Sequence, residues 1–326
     1  GLYDSGEVRG EVGDPGSSFN GGYGTSPTSM NTDNDGINDK PEVDYWLGVT
    51  SPSYTNSQIR SLGLASTVSN YDGDGWTDGQ EILTYYTRPD KADTDGDTVN
   101  DDLDMDPLVD LSVTVKITEI LALDEIDPSS YNGDFFVRLW VNGVDRTGIT
   151  DFTGDNTPSW KNADGTTDWD QDPHKTSNEL GIRLMWTVNV PDNVENVNIG
   201  IDLFDDDSGR TPPTDDWCDI SGQATSDGDQ YDPTNTDDDG RGLELTYSLK
   251  TGQWSGDDVL GGANGYGHVS GNEDGSTGTD QDDCEIWFDV WQNEYSTDAD
   301  RLAYWEEVNI FMTNPTMVDS PTANCP

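Results

Sequence analysis

Three segments of this chain share one twelve-residue pattern, and that pattern limits the folds open to it. They are NTDNDGINDKPE (Asn31 to Glu42), NYDGDGWTDGQE (Asn70 to Glu81) and DTDGDTVNDDLD (Asp93 to Asp104). Oxygen-bearing side chains stand at positions 1, 3, 5, 9 and 12 of each. In the first loop these are Asn31, Asp33, Asp35, Asp39 and Glu42. In the second they are Asn70, Asp72, Asp74, Asp78 and Glu81, and in the third Asp93, Asp95, Asp97, Asp101 and Asp104. Position 7 is apolar each time: Ile37, Trp76 or Val99. Short carboxylates at alternate positions point inward when the chain curls around a hard cation. The residue at position 7 adds its backbone carbonyl, and the carboxylate at 12 reaches in from a following helical turn. Gly36 and Gly75 relieve the sharp turn at position 6. Thr98 stands there in the third loop, and Asp104 is shorter than the Glu of the others, so that site is expected to be weaker or altered.

The spacing is that of an EF-hand-type calcium loop. The sequences after Glu42 (VDYWL) and Glu81 (ILTYY) supply the helical turn, but helices this short do not stand alone, so the metal must organise the segment. A fourth copy is degenerate. FMTNPTMVD (Phe311 to Asp319) repeats YYTRPDKAD (Tyr85 to Asp93), and upstream of it STDADRLAYWEE (Ser296 to Glu307) keeps Asp298, Asp300 and Glu307. Arg301 and Tyr304 break its pattern, so it is expected to persist for its helix. Residues 31–110 and 296–319 resemble thrombospondin type 3 repeats and related calcium-loop arrays of prokaryotic surface proteins. The competing reading is a set of solvated acidic turns.

The chain of 326 residues carries 66 acidic and 15 basic side chains, a formal net charge of −51. Nucleic-acid binding, which needs cations to displace phosphate counterions, is excluded. Docking on an anionic membrane by charge is excluded as well, and no apolar run reaches the ~20 residues of a transmembrane helix. Asp outnumbers Glu by 52 to 14, and tight cation-wrapping turns favour Asp. Residues 31–110 hold 18 acids against 4 bases. About four Ca²⁺ would neutralise only part of the total, leaving the rest to salt, further cations or partners. Aromatics at 10% argue against a disordered polyanion.

From Leu111 the texture changes. LSVTVKI (Leu111 to Ile117), FFVRLWV (Phe135 to Val141), GIRLMWTVNV (Gly181 to Val190), VNIGIDLF (Val197 to Phe204) and GLELTYSL (Gly242 to Leu249) alternate apolar and polar residues. Short alternating runs between Gly, Pro and Asp-rich loops predict a mainly β chain built on an antiparallel β-sandwich. The order Asp134-Phe-Phe-Val, NTPSW (Asn156 to Trp160) and VNIGIDLFDDD (Val197 to Asp207), followed by TDDWCDISG (Thr214 to Gly222), is similar to the C-two domain, the calcium-binding sandwich first known from protein kinase C. The resemblance implies ligands at Asp127 and Asp134 in one loop and at Asp205 and Asp207 in another, with Asp215 or Asp216 closing a calcium cup. Phe135 stands where that family has Pro, an insert at 161–178 has no counterpart, and the basic lipid-binding strand is missing. An unrelated sandwich with acidic loops is the alternative.

The expected organisation is a Gly/Ser-rich arm over 1–30, calcium loops over 31–110 and a sandwich over 111–250. A loop-rich extension with an added strand, CEIWFDVW (Cys284 to Trp291), covers 251–295, and a degenerate loop and tail cover 296–326. The stretches 223–241 and 251–283 read as long surface loops, and the added strand as a sandwich edge or a contact with a neighbouring subunit. Gly/Ser-rich arms order only by packing on something, a hint of assembly. The chain opens at Gly1 without Met, which suggests a processed or trimmed form. Cys218, Cys284 and Cys325 have no metal-type spacing, and one bridge among them or none is possible.

No catalytic motif stands out, and His174 and His268 lie in polar loop sequence, so the chain is expected not to be an enzyme. The expected function is that of a calcium-stabilised extracellular or cell-surface structural protein, a subunit of a layer, sheath or filament, and the low Lys and high Asp suit a salt-adapted microbe such as an archaeon. Its partners would be copies of itself or other surface proteins. A calcium-dependent adhesion or glycan-binding module is the alternative, resting on Trp160, Trp169, Trp217 and Trp254, with local loop cores the preferred reading of those indoles. A third reading is a non-catalytic accessory region of a secreted hydrolase.

Overall fold

A computed structural model describes residues 25–26, 28–49, 67–123, 135–146, 174–175, 184–205, 216–221, 241–257, 267–271, 282–293 and 303–315. The chain divides into two compact units. One joins Gly1–Asp110 to Tyr295–Pro326, and the other is Leu111–Glu294.

The second unit is mainly β, built as two antiparallel sheets. In the first sheet β1 (Ser112–Ala122) lies beside β11 (Cys284–Gln292), which in turn pairs with β10 (Gly267–Ser270). On the other side of β1 lie β4 (His174–Lys175) and β5 (Met185–Asn189). The second sheet runs β3 (Val144–Asp145), β2 (Phe135–Val141), β6 (Asn196–Asp205), β8 (Leu243–Ser248) and β9 (Gln253–Gly256). The short β7 (Asp216–Cys218) pairs with the last residues of β6.

Alternation in the sequence becomes a dry interior. Phe135, Val137, Leu139 and Val141 of β2 are buried, as are Val197, Ile199, Ile201 and Leu203 of β6 and Leu243, Leu245 and Tyr247 of β8. From the other sheet come Val113, Val115 and Ile117 of β1 and Ile286, Phe288 and Val290 of β11. The ring contact of Trp254 with Phe288 joins the two sheets. Each such side chain, once buried, contributes roughly 1.5–3 kcal/mol. A bulge between Ile117 and Glu119 shifts the inward phase of β1, so that Ile120 and Ala122 point inward after it.

Two expectations change here. The strand Cys284–Gln292 is no edge, since it is hydrogen-bonded to β10 on one side and β1 on the other. Its buried Ile286, Phe288 and Val290 require that central place. The stretch 251–283 is also not loop throughout, because it contributes β9 and β10. Cys218 and Cys284 are buried thiols not joined in a disulfide, and Cys325 lies outside the described residues.

Among its described residues the first unit has little regular structure. Helix α1 (Asp39–Val49) follows the first loop. A single turn, α2 (Asp78–Gln80), opens into a π-helical turn over Glu81–Tyr85 and ends on Tyr86 in the left-handed region. Near the C-terminus α3 (Tyr304–Glu306) opens into a π-helical turn over Glu307–Phe311 and ends on left-handed Met312. The sequence repeat is thus a repeat of backbone. Buried Glu81 accepts from the Thr87 hydroxyl at 3.2 Å, and buried Glu307 from that of Thr313 at 3.1 Å. Among the described residues no helix is long and apolar enough to cross a membrane.

Candidate metal centre

The three loops close in one way. The backbone N–H at position 9 donates to the carbonyl just before position 1: Asp39 to Met30 at 2.8 Å, Asp78 to Ser69 at 3.1 Å and Asp101 to Ala92 at 3.0 Å. The side chain at position 1 then accepts from the N–H at position 4, in each case at 2.6 Å (Asn31 from Asn34, Asn70 from Gly73, Asp93 from Gly96). That bond forces position 4 into the left-handed region, with φ of 72° at Asn34, 85° at Gly73 and 95° at Gly96. The position-5 carboxylate accepts from the N–H at position 7, at 3.0, 2.7 and 2.6 Å for Asp35, Asp74 and Asp97.

Each closure gathers carboxylates. Oxygens of Asp33, Asp35 and Glu42 lie within 4.8 Å of one another, as do those of Asp72, Asp74 and Glu81, and those of Asp93, Asp95 and Asp97. Many of these oxygens are buried with no hydrogen-bond partner: both of Asp33, both of Glu42, and one each of Asp35, Asp72, Asp74, Glu81 and Asp95. Glu42 and Glu81 are 0% exposed. Burial pushes the carboxyls of both up to about 9, helped by Asp33 and Asp35 beside Glu42 and by Asp72 and Asp74 beside Glu81. Burial also lifts Asp33, Asp74 and Asp95 to about 6. Unpaired carboxylates within one small buried volume are costly unless a cation joins them. The donors are all oxygen, which suits a hard divalent ion and not a thiophilic one. The residues therefore fit the implied group.

Positions 9 and 6 behave in ways the spacing alone does not reveal. Asp39 accepts from the N–H of Thr32 at 2.6 Å and from its hydroxyl at 3.0 Å, and Asp101 is held by Thr94 at 2.7 and 2.8 Å. Both carboxylates thereby tie their loops shut. In the second loop Tyr71 stands in place of Thr. Asp78 accepts only its N–H, at 2.7 Å, and the other oxygen is buried without a partner. Position 6 takes a positive φ at Gly36 (111°) and at Thr98 (90°). Gly75 does not. It is glycine for room, because a Cβ there would lie 2.0 Å from the Asp102 carboxylate.

Among the position-7 residues, Ile37 is buried, and Trp76 stacks on Tyr85 with centroids 3.7 Å apart. Val99 is half-buried and donates its N–H to Asp97. Asp104, at position 12 of the third loop, is buried and brings an oxygen within 4.8 Å of one of Asp95, though it is not part of the group formed by Asp93, Asp95 and Asp97.

In the sheet unit, Asp205 and Asp216 are register partners on β6 and β7, and Phe135, next in sequence to Asp134, pairs with Asp205 from β2. Asp127, Asp134, Asp207 and Asp215 lie outside the described residues, as do Trp160 and Trp169. Trp217 stacks on Phe204 beneath Arg241, and Trp254 packs against Phe288. Those two indoles serve local cores.

No protein-family model matches the sequence, and no curated protein does. Among solved structures the chain is similar to human GIVD cytosolic phospholipase A2 in complex with methyl gamma-linolenyl fluorophosphonate, at 15% identity with a TM-score of 0.25. The likeness covers 57% of this chain and 17% of that one. It is too slight to bear on function.

Proposed function

We propose that this chain is a non-enzymatic structural protein whose loop unit is held in shape by Ca²⁺, working outside the cell as a subunit of a surface layer, sheath or filament. The observation that carries the reading is the set of buried, unpartnered carboxylate oxygens gathered in each of the loops. Calcium suits them better than magnesium. The clusters are irregular and carboxylate-rich, whereas Mg²⁺ keeps its waters and demands a near-ideal octahedron. Millimolar extracellular calcium would keep sites of modest affinity filled, and a filled site stabilises the folded unit by mass action. The thrombospondin type 3-like reading of the loops and the C-two-like reading of the sheets belong to this proposal. So does a further calcium site near Asp205 and Asp216, whose register brings them together.

Electron microscopy of the purified protein with millimolar Ca²⁺ and with a chelator tests the role. Ordered polymers that dissolve on chelation are expected. A protein that stays monomeric with calcium and instead gains glycan binding would overturn the structural role in favour of adhesion.

A further inference from the structure

We infer that Thr77 couples the first two cation sites, so that an ion in one loop tightens the other. The inference rests on the calcium reading above and concerns how two of those sites communicate.

Thr77 is position 8 of the second loop and the N-cap of α2. Its hydroxyl donates to the backbone carbonyl of Asp35 at 2.9 Å and accepts from the N–H of Gln80 at 3.3 Å. The Gln80 Oε1 in turn accepts from the N–H of Thr77 at 3.0 Å, completing a capping box. One hydroxyl therefore holds both the start of α2 and a ligand residue of the first loop. Gly79, within the same turn, leaves no slack. A Cβ there would stand 2.8 Å from the Asp35 carbonyl oxygen, 2.9 Å from its Oδ2 and 2.9 Å from the N–H nitrogen of Ile37. The turn clamped in this way runs directly into Glu81, the position-12 carboxylate of the second site.

The consequence is mechanical. An ion in the first loop fixes Asp35, which fixes the N-cap and sets Glu81 over the second loop. An ion held by Glu81 fixes the same turn from the other end and steadies Asp35. Coupling of this kind is reciprocal, because each site's free-energy gain from the other must be equal. Thr77 belongs to neither carboxylate cluster. It is a positioning residue.

The test is a calcium titration of the full chain by native mass spectrometry, with the third loop silenced by Asp95→Ala. Glu42→Gln is expected to weaken the second site about fivefold or more, and Glu81→Gln to weaken the first by the same factor. Thr77→Val should abolish both effects while leaving each site able to bind. Thr77→Ser, which keeps the hydroxyl, should restore them. Thr77→Asp caps a helix well but has no proton to give Asp35, so it must lose the coupling without losing the cap. Undiminished coupling in Thr77→Val and Thr77→Asp, or no coupling in the parent, overturns the inference and leaves the calcium reading intact. A parent that binds no calcium at these loops overturns the calcium reading itself.

Discussion

The loop unit and the sheet unit bury opposite chemistry. Inside the sheets lie Leu, Ile, Val and Phe from β1, β2, β6, β8 and β11, and removal from water is reason enough for them to stay there. Among the described residues of the loop unit the buried apolar set is small: Ile37, Val43, Trp46, Ala303, Tyr304 and Val308. Alongside it are buried Asp35, Asp39, Glu42, Asp78, Glu81, Asp101, Asp104, Asp106 and Glu307. On the calcium reading proposed above, the sheet unit folds without cations, while the loop unit carries an interior that repels itself until cations enter. The difference shows where a chain of net charge −51 keeps its stability and where it keeps its dependence on the medium.

Chelation should separate the two units most sharply. A site held at 100 times its dissociation constant contributes about 2.7 kcal/mol, so emptying several sites removes stability comparable with that of a whole domain. Calorimetry in EDTA is expected to abolish the loop unit's transition and leave the sheet unit's in place. An unchanged scan would remove the distinction.

A pH effect confined to the metal-free state comes next. The metal-free folded loops hold protons at Glu42 and Glu81 up to about 9, at Asp78 up to about 7, and at Asp33, Asp74 and Asp95 up to about 6. The ordinary values are 4.5 for Glu and 3.8 for Asp, so between those values and about 9 the folded form binds more protons than the unfolded chain. Metal-free stability is therefore greatest below that window and falls as pH rises through it. Calcium displaces those protons, and the unfolded carboxylates are already ionised above about pH 5, so the loaded form's stability should stay nearly flat over the same range while the stabilisation by calcium widens as pH rises. Denaturant melts at pH 5 and pH 8, with and without calcium, read the fall in one state and its absence in the other.

Leu139→Ala probes the other side of the comparison. Leu139 is 0% exposed on β2, and its truncation should cost the sheet unit about 2–5 kcal/mol whether or not calcium is present. A calcium-dependent loss would mean that the units do not melt separately.

The smallest effect concerns the third loop. Thr98 sits at φ 90°, a strained conformation for a β-branched residue, and Thr98→Gly should stabilise the loop by about 1 kcal/mol. Gly36→Ala, at φ 111°, should act in the reverse direction. Calcium titrations of the two variants check the pair.

Much of this was legible in the sequence, for reasons that differ by region. The gathering of carboxylates in the loops could be read because the members of each cluster lie within twelve consecutive residues, so their spacing records which of them come together. The long strands could be read because a sheet with one buried face imposes alternation, as in Val197, Ile199, Ile201 and Leu203. The short β9 and β10 could not, since four residues among Gly and Asp leave too little periodicity. The central place of β11 depends on pairing with residues far away in sequence. In the loops, the tying of Asp39 and Asp101 by Thr32 and Thr94 hangs on position 2, which the cation pattern does not constrain. Tyr71 and its consequence for Asp78 were hidden in the same way.

The central claim is that the gathered carboxylates of the loops are calcium sites. Native mass spectrometry of the full chain at fixed free calcium, beside Glu81→Gln, tests it most directly. The account predicts bound calcium on the parent chain and one ion fewer on Glu81→Gln at subsaturating calcium. A parent chain without calcium at millimolar concentration, or the same count on both chains across the titration, would contradict it.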